Sequence, residues 1–256
     1  MKKNCICKVT ANIPISSDYF SLHFIWDGPA PKAGQFFMIK PVRGSVFLGR
    51  PISIFEFNPE NNKLKFLIAR RGKGTEELSA MRDGEEAELT GPLGNSWEEF
   101  LPENGKAALV GGGAGIAPLS ALAAEKKDYF FHVYAGFKTG FREKENEDAI
   151  LGAALRAKKV LVAAEDGRNA HSGRIVDFLF EPENYDVIFA CGPVPMLKAL
   201  KEKCSLRGVS CYVSMEQRMA CGVGACLGCT INTVKGYRRC CADGPIFNAQ
   251  ELYFND

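Results

Sequence analysis

The sequence lacks an excess of charge of either sign. Its 256 residues include 32 Lys and Arg against 30 Asp and Glu, which gives a formal net charge of +2. A nucleic-acid-binding domain usually has a strongly basic total or basic residues gathered on one face. This sequence indicates neither feature, and we expect no nucleic-acid partner.

Segments typical of a secretion leader or a membrane helix are also missing. The first residues, MKKNCICKVTANIP, include charged and polar side chains too early to form the apolar core of a leader. Residues 107–124 carry no charge, but four glycines and a proline interrupt them. A spanning helix instead needs about 20 strongly apolar residues. We expect a cytoplasmic protein that does not bind a membrane.

Cysteine, by contrast, is abundant and unevenly distributed. Without a secretion leader, the ten cysteines should be mostly reduced thiols, so a cluster of them favours metal binding or redox chemistry over cross-linking. The five that fall within the last 36 residues are Cys221, Cys226, Cys229, Cys240 and Cys241. The other five lie in probable strands and helices and are expected to be small buried hydrophobes.

The pattern of apolar residues divides the chain into three parts. In residues 1–101, short runs such as GQFFMIKPV and KLKFLIAR, separated by turn residues, predict an antiparallel β-barrel or sandwich. Residues 102–214 alternate apolar strands with helical segments, among them GRIVDFLF and PVPMLKALKEKCSLRG, which predicts a parallel α/β sheet. Residues 215–256 are too few for a full core of their own, so this segment should lean on the second domain or on a partner.

Two turns of the α/β part are candidates for nucleotide binding. The segment LVGGGAGIAPLSAL places four glycines between a predicted strand and helix, where bare amides and a helix N-terminus favour a pyrophosphate. Pro118 takes the place of the third glycine of G-x-G-x-x-G, and a tight turn without a ligand remains an alternative. In DVIFACGPVPML, Cys191 ends a later strand, at the edge where open parallel sheets bind ligands.

The barrel part contains two further candidate motifs. In GRPISI, Arg50 offers a forked guanidinium to a phosphate, and Ser53 offers a hydroxyl to a ring or ribityl group. In GKGT, Gly74 and Thr75 offer bare amides and a hydroxyl. Each motif can also be explained as an ordinary strand and turn of the barrel.

The order of four motifs resembles the ferredoxin-reductase family, in which an antiparallel barrel binds FAD and the following domain binds NAD(P). These motifs are RPIS, GKGT, GGGAGIAP and ACGPVPML. The tail, RMACGVGACLGC followed by CADGP, resembles the electron-transfer subunits of class B dihydroorotate dehydrogenase. The resemblance covers essentially the whole chain. It departs from the family at Ile68 and Ala69, where a Tyr-Arg pair is usual, and Arg70 is the residue that could replace the missing phosphate contact.

The spacing of the first three clustered cysteines supports the [2Fe-2S] cluster that the resemblance implies. Cys221-x4-Cys226-x2-Cys229 is the plant-type ferredoxin pattern, which takes a distant fourth cysteine. Tetrahedral zinc, the alternative, usually shows two C-x2-C pairs, and only one is present. If RRCCA is extended, only one of Cys240 and Cys241 can face the cluster. The family phrase C-x-D-G-P falls on Cys241.

The resemblance implies an oxidoreductase subunit that carries FAD and a [2Fe-2S] cluster and uses NAD(H). Its partner would be an FMN-containing catalytic subunit that oxidises dihydroorotate in pyrimidine biosynthesis, in a heterotetramer with two copies of each chain. One alternative is a homologous subunit that links NAD(P)H to ferredoxin, sulfide or another acceptor. The other is a non-catalytic module that binds zinc.

The resemblance also assigns residues to each cofactor. The residues expected at FAD are Arg50, Pro51, Ile52, Ser53, Leu67, Ile68, Ala69, Gly74 and Thr75. Those expected at NAD are Gly111, Gly112, Gly113, Ala114, Gly115, Pro118, Cys191, Gly192, Pro193 and Met196. The expected cluster ligands are Cys221, Cys226, Cys229 and Cys241.

Overall fold

In the computed structural model, which describes residues 3–179 and 181–254, the first part of the chain is an antiparallel barrel. Its elements are β1 (Lys3–Pro14), β2 (Tyr19–Ile25), β3 (Phe36–Pro41), β4 (Arg50–Ser53), β5 (Glu56–Asn58), β6 (Lys63–Ala69), α1 (Lys73–Ala80) and β7 (Glu86–Leu93). The strands pair in the order β4-β3-β7-β1-β2-β6-β5. The ends of this sheet are joined by the link between β4 and β5, where Ile54 donates to the Gln35 carbonyl at 3.1 Å and Phe55 to the Lys65 carbonyl at 3.0 Å.

Alternating side chains fill the barrel. Phe20, Leu22 and Phe24 on β2 are all fully buried, because every second residue of a strand faces the same side. Trp26 meets Phe37 edge-on, with ring centroids 4.8 Å apart. The apolar run RPISIFEFN forms two strands, β4 and β5, which are separated by the two residues that join the ends of the sheet.

The second part is the predicted parallel α/β sheet. Its elements are β8 (Lys106–Gly112), α2 (Ile116–Glu125), β9 (Phe130–Phe137), α3 (Lys144–Leu151), β10 (Lys159–Ala164), β11 (His171–Ser172), β12 (Val187–Cys191), α4 (Val194–Arg207) and β13 (Ser210–Ser214). These strands pair in the order β11-β10-β9-β8-β12-β13, and every pair is parallel. Successive residues of β8 enter two different cores, Leu109 on one face and Val110 on the other.

One predicted helix of this part is right and one is wrong. Helix α4 ends at Gly208, whose φ of +66° forms the left-handed cap that the sequence indicates. The predicted helix over GRIVDFLF is only a 3-10 turn, Ile175–Phe178, and Phe180 lies outside the described residues. Lys203 Nζ donates to the carbonyls of Val176 at 2.5 Å and Leu179 at 3.4 Å, so the segment is anchored to α4 instead of continuing as a helix.

The third part depends on both of the others. It contains β14 (Thr230–Thr233), β15 (Gly236–Arg239), a helical turn α5 (Cys240–Asp243) and β16 (Ile246–Asn248). Strand β16 pairs antiparallel with β13 and extends the nucleotide sheet. Asn95, which follows the barrel, exchanges two hydrogen bonds with the backbone of Ile246, at 2.9 and 3.0 Å. The segment therefore leans on the second domain, as its length predicts.

None of the helices in the described part of the chain has the length and apolarity needed to cross a bilayer.

Candidate cofactor sites

Arg50 lies across the start of helix α1. A Cβ atom on Gly74, the second residue of α1, would lie 2.0 Å from Arg50 Nε, so glycine is what lets the guanidinium cross there. The N-terminal turn is fixed by Thr75, whose Oγ1 accepts the N–H of Arg71 at 2.8 Å and donates to the Gly72 carbonyl at 2.9 Å. A guanidinium beside a helix N-terminus is suited to a phosphate group.

The other positions predicted for flavin binding lie on two barrel strands. They are Pro51, Ile52 and Ser53 on β4 and Leu67, Ile68 and Ala69 on β6. All of β4 is half-buried. On β6, Leu67 packs into a core shared with the nucleotide sheet, whereas Ile68, 1% exposed, packs inside the barrel. The Ile68 side chain is therefore part of the barrel core, and only its backbone is left to contact a ligand.

Arg70, the residue that could replace the phosphate contact missing at Ile68 and Ala69, is tied to the barrel. Its Nη1 donates to the carbonyls of Ser16 at 2.8 Å and Ser17 at 3.0 Å. Its guanidinium lies 5.2 Å from the centre of the Phe20 ring. The side chain thus holds the turn between β1 and β2, and its contact with a phosphate stays a prediction that these hydrogen bonds do not favour.

The two glycine-containing turns of the nucleotide domain meet backbone to backbone. Strands β8 and β12 are neighbours, with Gly111 paired to Cys191, so both turns leave the carboxyl edge of the sheet together. A Cβ atom on Gly192 would lie 2.9 Å from the Cα of Gly112, and one on Gly115 would lie 2.2 Å from the Cys191 carbonyl oxygen. This close approach exposes backbone amides on a surface that side chains would otherwise cover.

The remaining residues predicted for NAD surround these turns. Ala114 lies in a 3-10 turn with Gly113 and Gly115, and Pro118 is the third residue of α2. A Cβ atom on Gly112 would lie 2.7 Å from the Pro193 ring and 3.0 Å from Met196 sulfur. The structure thus brings both predicted nucleotide motifs to one place.

A charged group that sequence reasoning missed lies beside these turns. Surrounding protein raises the pKa of the Glu216 carboxyl, and Arg71 partly offsets the effect. Burial and then the charge of Glu216 raise the pKa of Cys191, while a hydrogen bond from Ser214 acts in the opposite direction. Because Glu216 follows β13 by two residues, it stands at the carboxyl edge of the sheet. That position was the available sequence signal.

Tyr19 connects the barrel to the same region. Its hydroxyl lies 3.1 Å from the Cβ position of Gly113, whose φ is +56°. Its ring centre is 6.3 Å from that of Phe141, and burial raises the pKa of its hydroxyl while Arg71 lowers it. No pattern in the sequence indicates that a residue at the start of β2 meets a turn almost one hundred residues later.

Four of the five clustered cysteines form two pairs. Cys221 Sγ accepts the backbone N–H groups of Val223 at 3.5 Å and Cys226 at 3.4 Å. Burial would raise the pKa of Cys221, but these donors and the Cys226 thiol outweigh it and lower the pKa to about 6. In the second pair, the N–H of Cys241 donates to Cys229 Sγ at 3.4 Å. Burial, followed by the hydrogen bond and charge of Cys229, raises the pKa of Cys241 to about 12.

This donor set fits the predicted cluster. A [2Fe-2S] cluster takes two thiolates on each iron. The four thiols stand as two pairs, and one sulfur of each pair accepts backbone N–H groups. Gly222 and Gly224 give the loop its left-handed backbone, with φ of +67° and +87°. Within residues 3–179 and 181–254, no three or more His, Cys, Asp or Glu side chains form a group arranged to hold a single ion.

The two candidates for the fourth ligand lie on a helical turn and not on an extended chain. Both residues begin α5 and both are buried, at 0% and 1% exposure. Cys241 makes the hydrogen bond to Cys229 Sγ, while the N–H of Cys240 donates to the Cys229 backbone carbonyl at 3.1 Å. The assignment of Cys241 stays a prediction that this contact supports.

The cluster loop rests on the barrel. A Cβ atom on Gly222 would lie 2.6 Å from Met38 Cγ and 3.1 Å from Leu93 Cδ1. Met38 pairs across the sheet with Pro51 of β4, the strand that begins with Arg50. Met38 is therefore a neighbour of both the candidate iron-binding loop and the candidate flavin strand.

Comparison with known proteins identifies relatives over the whole chain. The family model described as the iron-sulfur cluster binding domain of dihydroorotate dehydrogenase B matches residues 216–253. The dihydroorotate dehydrogenase B (NAD(+)) electron transfer subunit of Clostridium acetobutylicum is 38% identical over 255 residues, covering 100% of this chain and 99% of the relative. That of Caldanaerobacter subterraneus subsp. tengcongensis is 40% identical, covering 96% and 97%.

Solved structures share the fold. An NADH-dependent reduced ferredoxin-NADP oxidoreductase, studied for flavin-based electron bifurcation, aligns with a TM-score of 0.82 at 25% identity over 98% of this chain and 90% of its own. A ferredoxin NADP+ reductase from Neisseria gonorrhoeae aligns with a TM-score of 0.66 at 17% identity, over 84% of this chain and 95% of its own. The full-length similarity of the sequence relatives decides the family. This chain belongs to the family of dihydroorotate dehydrogenase B (NAD(+)) electron transfer subunits.

Proposed function

We propose that this chain carries FAD and one [2Fe-2S] cluster and transfers electrons between NAD(H) and the FMN of a catalytic partner subunit. The relatives' name, dihydroorotate dehydrogenase B (NAD(+)) electron transfer subunit, supports a partner that oxidises dihydroorotate. We further propose that the product is orotate and that the reaction belongs to pyrimidine biosynthesis. Nicotinamide exchanges a hydride and an iron-sulfur cluster exchanges single electrons, and a flavin joins the two because it does both. The cluster-domain match over residues 216–253 favours iron over the zinc alternative.

The single observation that carries this proposal is the contact of the cysteine loop with the barrel. Gly222 packs against Met38, and Met38 pairs with Pro51 on β4. On the nucleotide side, Tyr19 of the barrel reaches the turn at Gly113. The candidate cluster loop and the candidate nucleotide turn thus each contact the barrel, which supports electron transfer by way of a flavin held there.

Each part of the chain has a defined role in this proposal. Residues 1–101 hold FAD, with Arg50 at a phosphate and β4 along the flavin. Residues 102–214 hold NAD at the two turns that meet at Gly112 and Gly192. Residues 215–256 hold the cluster through Cys221, Cys226, Cys229 and Cys241. Glu216, Arg71 and Tyr19 lie between the nucleotide turns and the barrel and orient the groups that meet there.

The exposed surface of the third segment is the proposed docking site for the catalytic subunit. Cys226 is exposed, its neighbour Leu227 is 63% exposed, and Tyr237 is 80% exposed. Leu227 and Tyr237 both line a cavity of about 570 Å³. Aromatic residues are enriched at protein interfaces. We further infer a complex of two copies of each chain in the cytoplasm, where ten unpaired thiols would persist.

Anaerobic co-purification with a candidate FMN-containing catalytic subunit tests the proposal. The expected complex contains FAD, FMN and two irons per copy of this chain, and it reduces NAD+ when dihydroorotate is added. Native mass spectrometry gives the stoichiometry. A complex that contains all the cofactors yet transfers electrons from NAD(P)H only to ferredoxin or sulfide would support the alternative subunit. Zinc in place of iron, without flavin, would support the non-catalytic module.

A further inference from the structure

We propose that Arg239 and Asp243 form a clamp that joins the two halves of the cysteine site and sets both the retention and the reduction potential of the cluster. The inference rests on the proposed function only in requiring that a [2Fe-2S] cluster is bound. It assigns a positioning role to two residues that contribute no thiol.

Arg239 and Asp243 are joined by a forked ion pair. Arg239 Nε and Nη2 donate to the two carboxylate oxygens of Asp243, each at 3.0 Å. The backbone N–H of Arg239 donates to the same carboxylate at 2.8 Å. The pair spans the whole of α5, the turn that carries Cys240 and Cys241, so these three hydrogen bonds fix its geometry. A bidentate arginine is more directional than a single charge contact.

The remaining guanidinium nitrogen of Arg239 binds the loop that carries Cys221 and Cys226. Its Nη1 donates to the carbonyl of Gly224 at 3.2 Å, and Gly224 lies in the loop between Cys221 and Cys226. A Cβ atom on Gly224 would lie 2.9 Å from Ala242 Cβ and 3.2 Å from Arg239 Nη1. The loop therefore lies directly on α5, and one guanidinium fixes the separation of the two cysteine pairs.

The same guanidinium is an electrostatic neighbour of the thiols. It contacts Gly224, which lies between Cys221 and Cys226, and Asp243, which lies two residues after Cys241. Reduction adds negative charge to an iron-sulfur cluster, so a nearby positive charge favours the reduced form and a negative one opposes it. Arg239 should raise the reduction potential and Asp243 should lower it.

Arg238 provides a matched control. It is 40% exposed, its Nε is 4.0 Å from Asp243 Oδ2, and it has the same charge one residue earlier in the chain. Unlike Arg239, it makes no hydrogen bond to Gly224 among the described contacts. Arg238→Gln therefore removes an equal charge from the same hairpin without removing the clamp.

The test compares Arg239→Gln, Arg239→Lys, Asp243→Asn and Arg238→Gln in the full chain, purified anaerobically with its partner. The readouts are the rate of iron loss to a chelator and the cluster potential, followed by paramagnetic resonance during a redox titration. We expect Arg239→Gln to lose iron about ten to a hundred times faster, as for other residues that support metal ligands, and to lower the potential. Asp243→Asn should also lose iron faster, but it should raise the potential.

Arg239→Lys separates charge from geometry. Lysine keeps the positive charge but cannot make the fork, so the potential should return toward that of the wild type while iron is still lost faster. Arg238→Gln should match the wild type in both measurements. A purely structural role would change iron retention without shifting the potential in opposite directions in the Arg239 and Asp243 variants.

Three results would overturn the clamp while leaving the proposed function intact. In the first, the wild type binds a normal cluster and Arg239→Gln changes neither iron retention nor reduction potential. In the second, Arg238→Gln and Arg239→Gln shift the potential equally. In the third, Arg239→Gln and Asp243→Asn shift the potential in the same direction. A wild-type protein with full FAD but no binuclear iron signal would overturn the clamp and the proposed function together. FAD content in every variant verifies that the chain is folded.

Discussion

A methyl group added to Gly115 would lie 2.2 Å from the carbonyl oxygen of Cys191. Helix α2 thus begins in direct backbone contact with the end of β12, and the two turns form one surface. The φ of Gly115 is −62°, so alanine is compatible with the backbone conformation and only the contact forbids it.

Gly115→Ala should therefore weaken nucleotide binding by pushing the two turns apart. Overpacking typically costs about 1 to 3 kcal/mol, so we expect the Kd for NADH to rise about tenfold or more, with FAD and iron contents unchanged. Fluorescence titration measures the affinity. Gly208→Ala is the control: its φ is +66° and a Cβ atom there would meet nothing within 4 Å, so it should reduce stability without changing NADH affinity. Unchanged affinity in Gly115→Ala would contradict the assigned site.

The adjacent thiols of α5 should respond differently to mutation. Cys241→Ser should abolish cluster binding, because Cys241 is the member of the pair that meets Cys229 Sγ. Cys240→Ser should keep the iron and lose some stability, because Cys240 is fully buried and its thiol has been assigned no metal. Iron and sulfide analysis with the visible absorption spectrum distinguishes them. The reverse pattern would move the fourth ligand to Cys240.

The sequence was most informative where the physics is local. Alternating apolar runs predicted the barrel strands, the glycine after the last turn of α4 predicted its end, and the cysteine spacing predicted a metal loop. Helix α1 was missed because its start, GKGT, resembles a turn until Arg50 is seen to lie over Gly74. The helical geometry at Cys240 was missed because Asp243 and Arg239 fix α5 through side chains.

Contacts between distant parts of the chain could not have been predicted from one sequence. Arg70 follows the two positions that depart from the family, but its Nη1 donates to the carbonyls of Ser16 and Ser17 within the barrel. Tyr19 and Glu216 have meaning only where the barrel meets the nucleotide sheet. Such contacts join residues far apart in the chain, and neither periodicity nor propensity carries that information.

Acid should destabilise the barrel through His23. This side chain is 6% exposed, its Nε2 is 2.8 Å from Ser21 Oγ, and burial together with Lys63 and Lys65 lowers its pKa to about 4. Between about pH 6.5 and 4 the unfolded chain binds a proton that the folded barrel does not, so stability falls as pH falls.

We expect this loss to reach about 3 kcal/mol at pH 4 relative to a variant without the group. Urea unfolding of the wild type and of His23→Gln, followed by tryptophan fluorescence across this pH range, measures it. His171→Gln, at an exposed site, should behave as the wild type does. Parallel pH profiles for the wild type and His23→Gln would contradict the prediction.

The exposed apolar residues of the cluster segment should matter only for assembly. Leu227→Asp and Tyr237→Ser should weaken binding to the catalytic subunit, because interface energy concentrates in a few central side chains, each costing about 1 kcal/mol or more when removed. Sedimentation or surface binding gives the affinity, and NADH oxidation by an artificial dye verifies that the subunit itself still works.

Leu206→Asp is the matched control for these variants, because Leu206 is 84% exposed but lies on α4. It should assemble as the wild type does. If Leu206→Asp weakens assembly as much as Leu227→Asp, the proposed surface is wrong.

The pairing of β16 with β13 also protects the molecule. A sheet that ends in an uncovered strand offers its hydrogen-bonding groups to any passing chain and promotes aggregation. Here three residues near the carboxyl terminus, Ile246–Asn248, take that position. A chain shortened just before Ile246 would keep all four proposed cluster ligands, yet it would leave the backbone groups of β13 unpaired and open to other chains.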